Sequence, residues 1–229
     1  MSQPDFTHQH PAFIAYPAQA AFGRALPKSK VYAHSGANTR LKDLFVQQVE
    51  QIVWAFKLAP ETIHLPARPG VPEIQVFTLQ LKTPELHRDV LRCIDEAIPF
   101  PIVFELVFEG RTQVIAAYKR LNESDASRWV ISDYFATDWM PACSQRTPMP
   151  VALNLGGLYE QLLHRLIPLS VRPQETLTEL MARVAQVQAK QREMDKTAAR
   201  LRKEKQFNRK VEINTQLRQL KNDYETLTR

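Results

Sequence analysis

The most regular hydrophobic pattern of the chain lies in its last part. Residues 174–229 contain no glycine and no proline, and apolar side chains recur there at steps of three and four. This spacing places side chains on one face of an α-helix, and a stripe this narrow is typical of a helix that packs against a partner. The pattern predicts a long helical, coiled-coil-like arm. Its first stripe consists of Leu177, Leu180, Met181, Val184, Val187, Gln191, Met194, Ala198 and Leu201.

The register of the stripe changes after Lys205. A second stripe does not continue the first, so either one helix carries a stutter or the chain turns near residues 206–208 and folds back as a helical hairpin. The absence of glycine and proline favours one helix, whereas Asn208 tolerates the left-handed conformation that a turn needs. Both alternatives stay open. The second stripe consists of Phe207, Val211, Asn214, Leu217, Leu220, Tyr224 and Leu227.

Period-two alternation predicts strands in the earlier part of the chain. Residues 73–82 alternate most clearly, and residues 52–58 alternate after a short helix that Asn38 or Thr39 can cap. The apolar run 102–108 precedes a Glu-Gly-Arg hairpin signal and a returning strand, and residues 128–135 predict another strand.

Proline and capping signals predict the helices between these strands. One helix runs between Pro84 and Pro99, another from Leu155 to Ile167, and a short one covers residues 18–26, while residues 28–32 form a strand or a docking loop. This order predicts an α+β fold, with packed helices on a mixed or antiparallel sheet. We expect a globular α/β domain over residues 1–173 and a basic helical arm over residues 174–229.

Composition places the chain among ordinary globular proteins. It has 229 residues, of which 44% are hydrophobic and 24% charged. Neither a secretory signal nor an apolar run of roughly 18 residues is present, so we expect a cytoplasmic protein without a membrane segment. The isolated cysteines Cys93 and Cys143 indicate neither a zinc site nor a disulfide framework, and we expect no metal or cofactor.

Positive charge is concentrated in the arm. Residues 190–221 contain eleven Lys or Arg and four Asp or Glu, an excess of seven over a whole-chain net charge of +6, so the remainder is close to neutral. Clustered cations attract backbone phosphates without base contacts, although a solvated helix also needs charged residues. The candidate residues for binding nucleic acid or a partner are Lys196, Arg200, Arg202, Lys203, Lys205, Arg209 and Lys210.

Catalytic patterns are weak in this sequence. A metal-dependent nuclease would hold acidic residues and a lysine at adjacent strands, and Glu73, Glu105 and Lys119 are the candidates. Glu73 is followed by Ile74 and Gln75 where such a site has a lysine. The six histidines have no nucleophile in a recognisable elbow, and six glycines in the whole chain disfavour a phosphate-binding loop.

Several strings resemble an uncharacterised bacterial family of domains of unknown function, over most of the chain. The resemblance implies a genomic context, beside DNA methyltransferase and helicase genes of restriction or phage-defence systems, and it implies no active site. The strings are residues 26–28, 54–62, 73–77, 94–101, 117–119 and 205–214.

Three functional hypotheses follow. The first is a non-enzymatic accessory or scaffold subunit of a bacterial DNA-processing or phage-defence complex related to restriction-modification. Its basic arm would contact a larger enzyme such as a methyltransferase or helicase, DNA, or a second copy of itself. The second is a metal-dependent nuclease, and the third is a coiled-coil oligomerisation protein.

Overall fold

A mixed β-sheet forms the centre of the fold. A computed structural model describes residues 10–125 and 128–229, so the first nine residues of the predicted globular domain lie outside the described part. In chain order the elements are β1 (His10–Ala15), β2 (Ala21–Ala25), α1 (Lys28–Ser35), α2 (Thr39–Gln48), β3 (Val49–Leu58), α3 (Pro60–Ile63), β4 (Ile74–Leu81), α4 (Arg88–Ala97), β5 (Ile102–Phe108), β6 (Arg111–Leu121), β7 (Trp129–Ala136), β8 (Met140–Pro141), β9 (Arg146–Pro148), α5 (Leu155–His164), α6 (Leu177–Lys203) and α7 (Phe207–Thr228).

The main sheet has the strand order β2-β3-β4-β5-β6-β7, with β8 paired to β6. Strands β4 and β5 are parallel and are joined through α4, because a parallel pair needs a crossover connection. The other pairs of this sheet are antiparallel, and β1 and β9 form a separate parallel pair. The prediction of an α+β fold with a mixed sheet is therefore confirmed.

The principal core lies on one face of the sheet. Side chains alternate between the two faces along a strand, so Phe104 and Leu106 enter this core and Glu105 points to the opposite face. Apolar side chains of α4, such as Val90 and Ile94, are buried in the same core. Helix α4 therefore covers one face, and Glu105 lies on the other.

Local signals predicted several elements correctly. Asn38 caps α2 by accepting a hydrogen bond from the backbone N–H of Leu41 at 2.9 Å, and β3 follows α2 directly. The turn between β5 and β6 has φ angles of 44° at Glu109 and 72° at Gly110. Two successive positive φ angles are the requirement of the tightest hairpin turns, which explains why glycine stands there.

Two predictions near the amino terminus were wrong. Residues 18–26 form a short 3₁₀ turn and then β2, because the chain pairs with the edge of β3 and the backbone N–H of Leu26 donates to the carbonyl of Ile52 at 2.8 Å. Residues 28–32 lie in helix α1, which ends at Gly36 with a φ of 63°. The buried side chain of Val31 and the Lys28 ammonium, which donates to the Phe45 carbonyl at 3.1 Å, anchor α1.

A buried ion pair connects β6 to the end of α4. The Lys119 ammonium donates to the backbone carbonyls of Asp95 and Ile98, where a helix leaves its last carbonyls without partners. It also lies 3.8 Å from the Asp95 carboxylate, which accepts a hydrogen bond from the Tyr134 hydroxyl at 2.5 Å. Burial lowers the pKa of Lys119 to about 8 and raises the pKa of Asp95 to about 6, because both charges lose water.

The carboxyl-terminal helices form an antiparallel hairpin. The chain divides into two compact units at Ile167, and the second unit contains α6 and α7. The guanidinium of Arg172, before α6, donates to the Thr226 carbonyl near the end of α7 at 2.7 Å, which requires the helices to run in opposite directions. Of the two arrangements that the sequence left open, the hairpin is therefore the one observed.

The second stripe was assigned to the wrong face at its start. Ile213 and Leu220 are the buried residues of α7, whereas Phe207 and Val211 are exposed. The face that packs in the hairpin recurs at steps of four and three from Ile213. It comprises Ile213, Leu217, Leu220, Tyr224 and Leu227, all buried or half-buried.

We predict that Lys119→Met lowers the free energy of unfolding of the sheet unit by about 3 to 5 kcal/mol, because it leaves the Asp95 carboxylate and two helix-terminal carbonyls buried without their cation. Urea unfolding of the full chain, followed by tryptophan fluorescence, measures this change. Lys30→Met, at an exposed position of α1, is the matched control and should leave the midpoint in place. Equal midpoints for the two variants would contradict the structural role of the pair.

Candidate functional site

Seven cations surround the turn of the hairpin, and we name them the basic tip. Helix α6 ends at Lys203 and α7 begins at Phe207, so only residues 204–206 connect the helices. Every side chain of the basic tip is exposed. Its members are Lys196, Arg200, Arg202, Lys203, Lys205, Arg209 and Lys210, the residues that the sequence predicted for binding.

Glu204 makes the turn. Its backbone is extended, with φ −68° and ψ 136°, and its carboxylate accepts the backbone N–H groups of Lys205 at 2.8 Å and Gln206 at 2.9 Å. The hydrogen bonds from Gln206 and Lys205 lower the pKa of Glu204, and the charges of Arg209 and Lys210 lower it further. A carboxylate that binds its own local backbone competes with the helix, which ends α6 here without glycine or proline.

The opposite end of the hairpin, which we call its base, is held by Arg183. The side chain is 5% exposed, and its guanidinium binds both carboxylate oxygens of Glu175 at 2.7 Å. It also donates to the carbonyls of Leu227 at 2.9 Å and Ser170 at 2.6 Å. The hydrogen bond from Arg183 lowers the pKa of Glu175 from its usual value of 4.5 to about 2.

One cation between the base and the tip, Lys190, is also paired. The Lys190 ammonium of α6 lies 3.0 Å from the Asp223 carboxylate of α7, and this hydrogen bond lowers the pKa of Asp223. By contrast, none of the seven cations of the basic tip has an acidic group within ion-pair distance in the described part of the chain. Arg183 and Lys190 are therefore neutralised by ion pairs, and the cations of the basic tip are not.

The second unit carries the entire formal net charge of the chain. Residues 168–229 contain 14 Lys or Arg and 8 Asp or Glu, which gives the net +6 of the whole chain. Residues 1–167 hold the remaining 16 of 30 basic and 16 of 24 acidic residues, and their formal charge is zero. An electrostatic partner that is attracted by net charge will therefore be attracted to the hairpin.

Part of the basic tip borders a groove between α6 and α7. Lys196, Arg200 and Lys203 recur at steps of four and three, so they share one side of α6. Lys196 and Arg200 line the groove together with Gln216 and Leu220 of α7 and with the carboxylates of Glu193 and Asp223. The groove therefore carries charges of both signs, and Lys196 and Arg200 are the part of its lining that suits a ligand with hydrogen-bond acceptors.

The structure does not bring the three nuclease candidates together. Glu73 lies 3.4 Å from the Lys57 ammonium, and Glu105 forms two hydrogen bonds with Arg146, at 2.8 and 2.9 Å. Lys119 contacts α4, across the sheet from Glu105. Within the described ranges, no group of three or more His, Cys, Asp or Glu is placed to hold a metal ion. The geometry gives the nuclease hypothesis no support.

Sequence reasoning missed two features of the hairpin. Phe207 and Val211 are exposed because the packed face of α7 begins at Ile213, whereas the predicted stripe ran through Val211 and Asn214. Arg183 had no readable signal, because two of its partners are backbone carbonyls and one of these, that of Leu227, is distant in sequence.

A comparison with family models identifies the chain. The model described as Domain of unknown function (DUF4391) matches residues 14–223, a range that includes the sheet, the basic tip and most of α7. The chain belongs to the DUF4391 family. The expected membership of a family of domains of unknown function is thereby confirmed. No curated protein and no solved structure matches the DUF4391 chain significantly.

None of its described helices is both long and apolar enough to cross a membrane.

We predict that Glu175→Gln loosens the base of the hairpin in a pH-dependent way. The pKa of Glu175 is lower in the folded state than in the unfolded state, so its ionised form stabilises the hairpin above about pH 4.5, and this stabilisation is lost as the pH falls toward 2. Hydrogen–deuterium exchange of the α7 amides should be about tenfold faster in the variant at neutral pH, a loss of about 1.5 kcal/mol.

The difference in exchange between wild type and Glu175→Gln should shrink when both are measured at about pH 3. Glu212→Gln is the matched control, because Glu212 is an exposed carboxylate of α7 with no ion pair among the described residues. A difference that keeps its full size at the acidic pH would show that the charge of Glu175 does not hold the base.

Proposed function

We propose that this DUF4391 protein is a non-enzymatic accessory subunit of a DNA-processing assembly, and that its helical hairpin contacts DNA through the basic tip. The observation that carries the proposal is the segregation of charge within the hairpin. Glu175 and Asp223 pair with Arg183 and Lys190, whereas residues 196–210 contain seven exposed cations and one acidic residue, Glu204, and none of these cations has an acidic group within ion-pair distance among the described residues.

DNA is the ligand that suits this arrangement. Lysine and arginine side chains bind backbone phosphates without reading sequence, and the release of counterions from the phosphates drives the association. The sheet unit has no formal net charge and so adds no net electrostatic attraction for DNA. A helix that merely needed a soluble surface would carry charges of both signs in similar numbers, whereas residues 196–210 contain seven Lys or Arg and one Glu.

An accessory role is supported by how the sheet unit uses its charged residues. Lys119 completes the end of α4, and Arg146 holds Glu105 while its guanidinium packs on the ring of Phe13 at 3.8 Å from the ring centroid. These side chains are engaged in contacts that stabilise the fold. The proposed role therefore assigns the chemistry to a partner and the contact with DNA to the hairpin.

The partner that we propose is a larger DNA-processing enzyme, such as a methyltransferase or a helicase, in a bacterial restriction or phage-defence system. Support comes from the resemblance to a family encoded beside such genes. The protein would then act in the cytoplasm, where its DNA is. A coiled-coil oligomeriser is the second candidate, and the exposed pair Phe207 and Val211 is the observation in its favour.

We predict that replacing Lys205, Arg209 and Lys210 together with glutamine weakens binding to duplex DNA and flattens its salt dependence. These cations lie at the amino-terminal end of α7, where positive charge opposes the helix dipole, so their removal does not cost helix stability. The slope of log affinity against log salt should fall by roughly 0.9 for each phosphate that the variant no longer neutralises, or by about 3 in all. Fluorescence anisotropy of the full chain with a labelled duplex, titrated between about 50 and 200 mM salt, measures this slope.

The matched control replaces Lys30, Arg40 and Lys42 with glutamine. It removes the same formal charge from exposed positions of α1 and α2 in the sheet unit. Its affinity and salt slope should stay close to those of wild type. If the two triple variants lose affinity equally, net charge alone explains the binding, and if neither loses affinity, the basic tip does not contact DNA.

A further inference from the structure

An aromatic side chain lies exposed in the middle of the basic tip. Phe207 is 78% exposed, and Val211, one helical turn further along α7, is 51% exposed. The ring of Phe207 has no aromatic or cation–π partner among the described residues. Lys205, Arg209 and Lys210 are its near neighbours in sequence.

The hairpin does not need Phe207 for its own packing. The face of α7 that packs in the hairpin contains Ile213, Leu217 and Leu220, and at 100° per residue Phe207 and Val211 lie on the side away from Ile213. A large apolar side chain that is exposed among polar neighbours is typical of a binding surface. The ring is therefore available to a ligand.

The surrounding charge selects among the ligands that an exposed ring can bind. A second copy of the same tip would place seven cations against seven, and like charges repel across an interface. A membrane surface is anionic, but a helix that lies in it needs a broad apolar face. Here the outward face of α7 continues with Asn214, Arg218 and Lys221, all exposed, so its apolar part is limited to two side chains.

A single ring among cations matches the chemistry of single-stranded nucleic acid. Proteins that bind single strands combine cations that follow the phosphates with aromatic side chains on which bases stack, and stacking is possible only where bases are not already paired within a duplex. We propose that the basic tip binds an unpaired segment of nucleic acid, with Phe207 stacked on one base and Lys205 and Arg209 on the flanking phosphates.

This inference rests on the proposed function, because it requires that the basic tip contacts nucleic acid, and it adds that the preferred form is single-stranded. The test uses the full chain, a labelled oligothymidine, a labelled oligouridine and a labelled duplex of equal length, at one salt concentration. Phe207→Ala removes the ring, Phe207→Trp keeps a stacking surface, and Val46→Ala is the control. Val46 is an exposed apolar side chain of α2 in the sheet unit.

We expect wild type to bind a single strand more tightly than the duplex. Phe207→Ala should lower the affinity for the single strand by roughly five- to hundredfold, since stacking one base on an aromatic side chain contributes about that factor. Affinity for the duplex and the salt slope should not change, because the cations remain. Phe207→Trp and Val46→Ala should bind the single strand like wild type.

The contrary outcomes distinguish a failure of base stacking from a failure of the proposed contact with DNA. If Phe207→Ala binds every probe like wild type, or weakens single strand and duplex equally, base stacking is wrong while the proposed contact with DNA stands. If wild type binds none of the three oligonucleotides and instead binds vesicles of phosphatidylcholine and phosphatidylserine, both the inference and the proposed function are wrong. A preference for oligothymidine identifies DNA as the source of the strand, whereas a preference for oligouridine identifies RNA, supports base stacking and contradicts the proposed contact with DNA.

Discussion

The bidentate pair of Arg183 and Glu175 is the contact on which the hairpin depends. It joins the start of α6 to the carbonyl of Leu227 near the end of α7, so one guanidinium connects the two helices at the base of the hairpin. The ion pairs of Arg183 and Lys190 lie away from the turn, and the cations near the turn are exposed to solvent without ion pairs among the described residues. One end of the hairpin thus uses charge for stability, and the other leaves charge available for binding.

The sheet unit shows the opposite use of charge. Lys119 and Asp95 are buried together, and each has its charged form disfavoured by the loss of water, so their partners must be close and well oriented. Glu105 on the other face is held by Arg146. Lys119, Asp95, Glu105 and Arg146 are bound to one another or to backbone groups and contribute to one defined packing. A hairpin with exposed cations in the same chain as such a unit is consistent with a protein whose contact surface and structural body are separate.

Sequence predicted those elements whose signals are local. The alternation of β4 and the cap of α2 depend on neighbouring residues, whereas the strand at residues 21–25 exists because it pairs with β3, a contact that its own composition does not reveal. At the candidate site, the number of cations could be read from the sequence, but their ion pairs could not. Lys190 and Asp223 are 33 residues apart and meet only because the chain turns at Glu204. The exposure of Phe207 was hidden for the same reason, since only the packing of α6 against α7 fixes which side of α7 faces inward.

Chemical footprinting of the lysines tests the central claim most directly, because it reads individual side chains of the intact protein. The full chain would be acetylated at limiting reagent with and without DNA, and the modification of each lysine measured by mass spectrometry. The account predicts that DNA protects Lys203, Lys205 and Lys210 at the turn and leaves Lys30 and Lys42 of the sheet unit as reactive as before. Uniform protection of all five, or protection of the sheet unit alone, would contradict it.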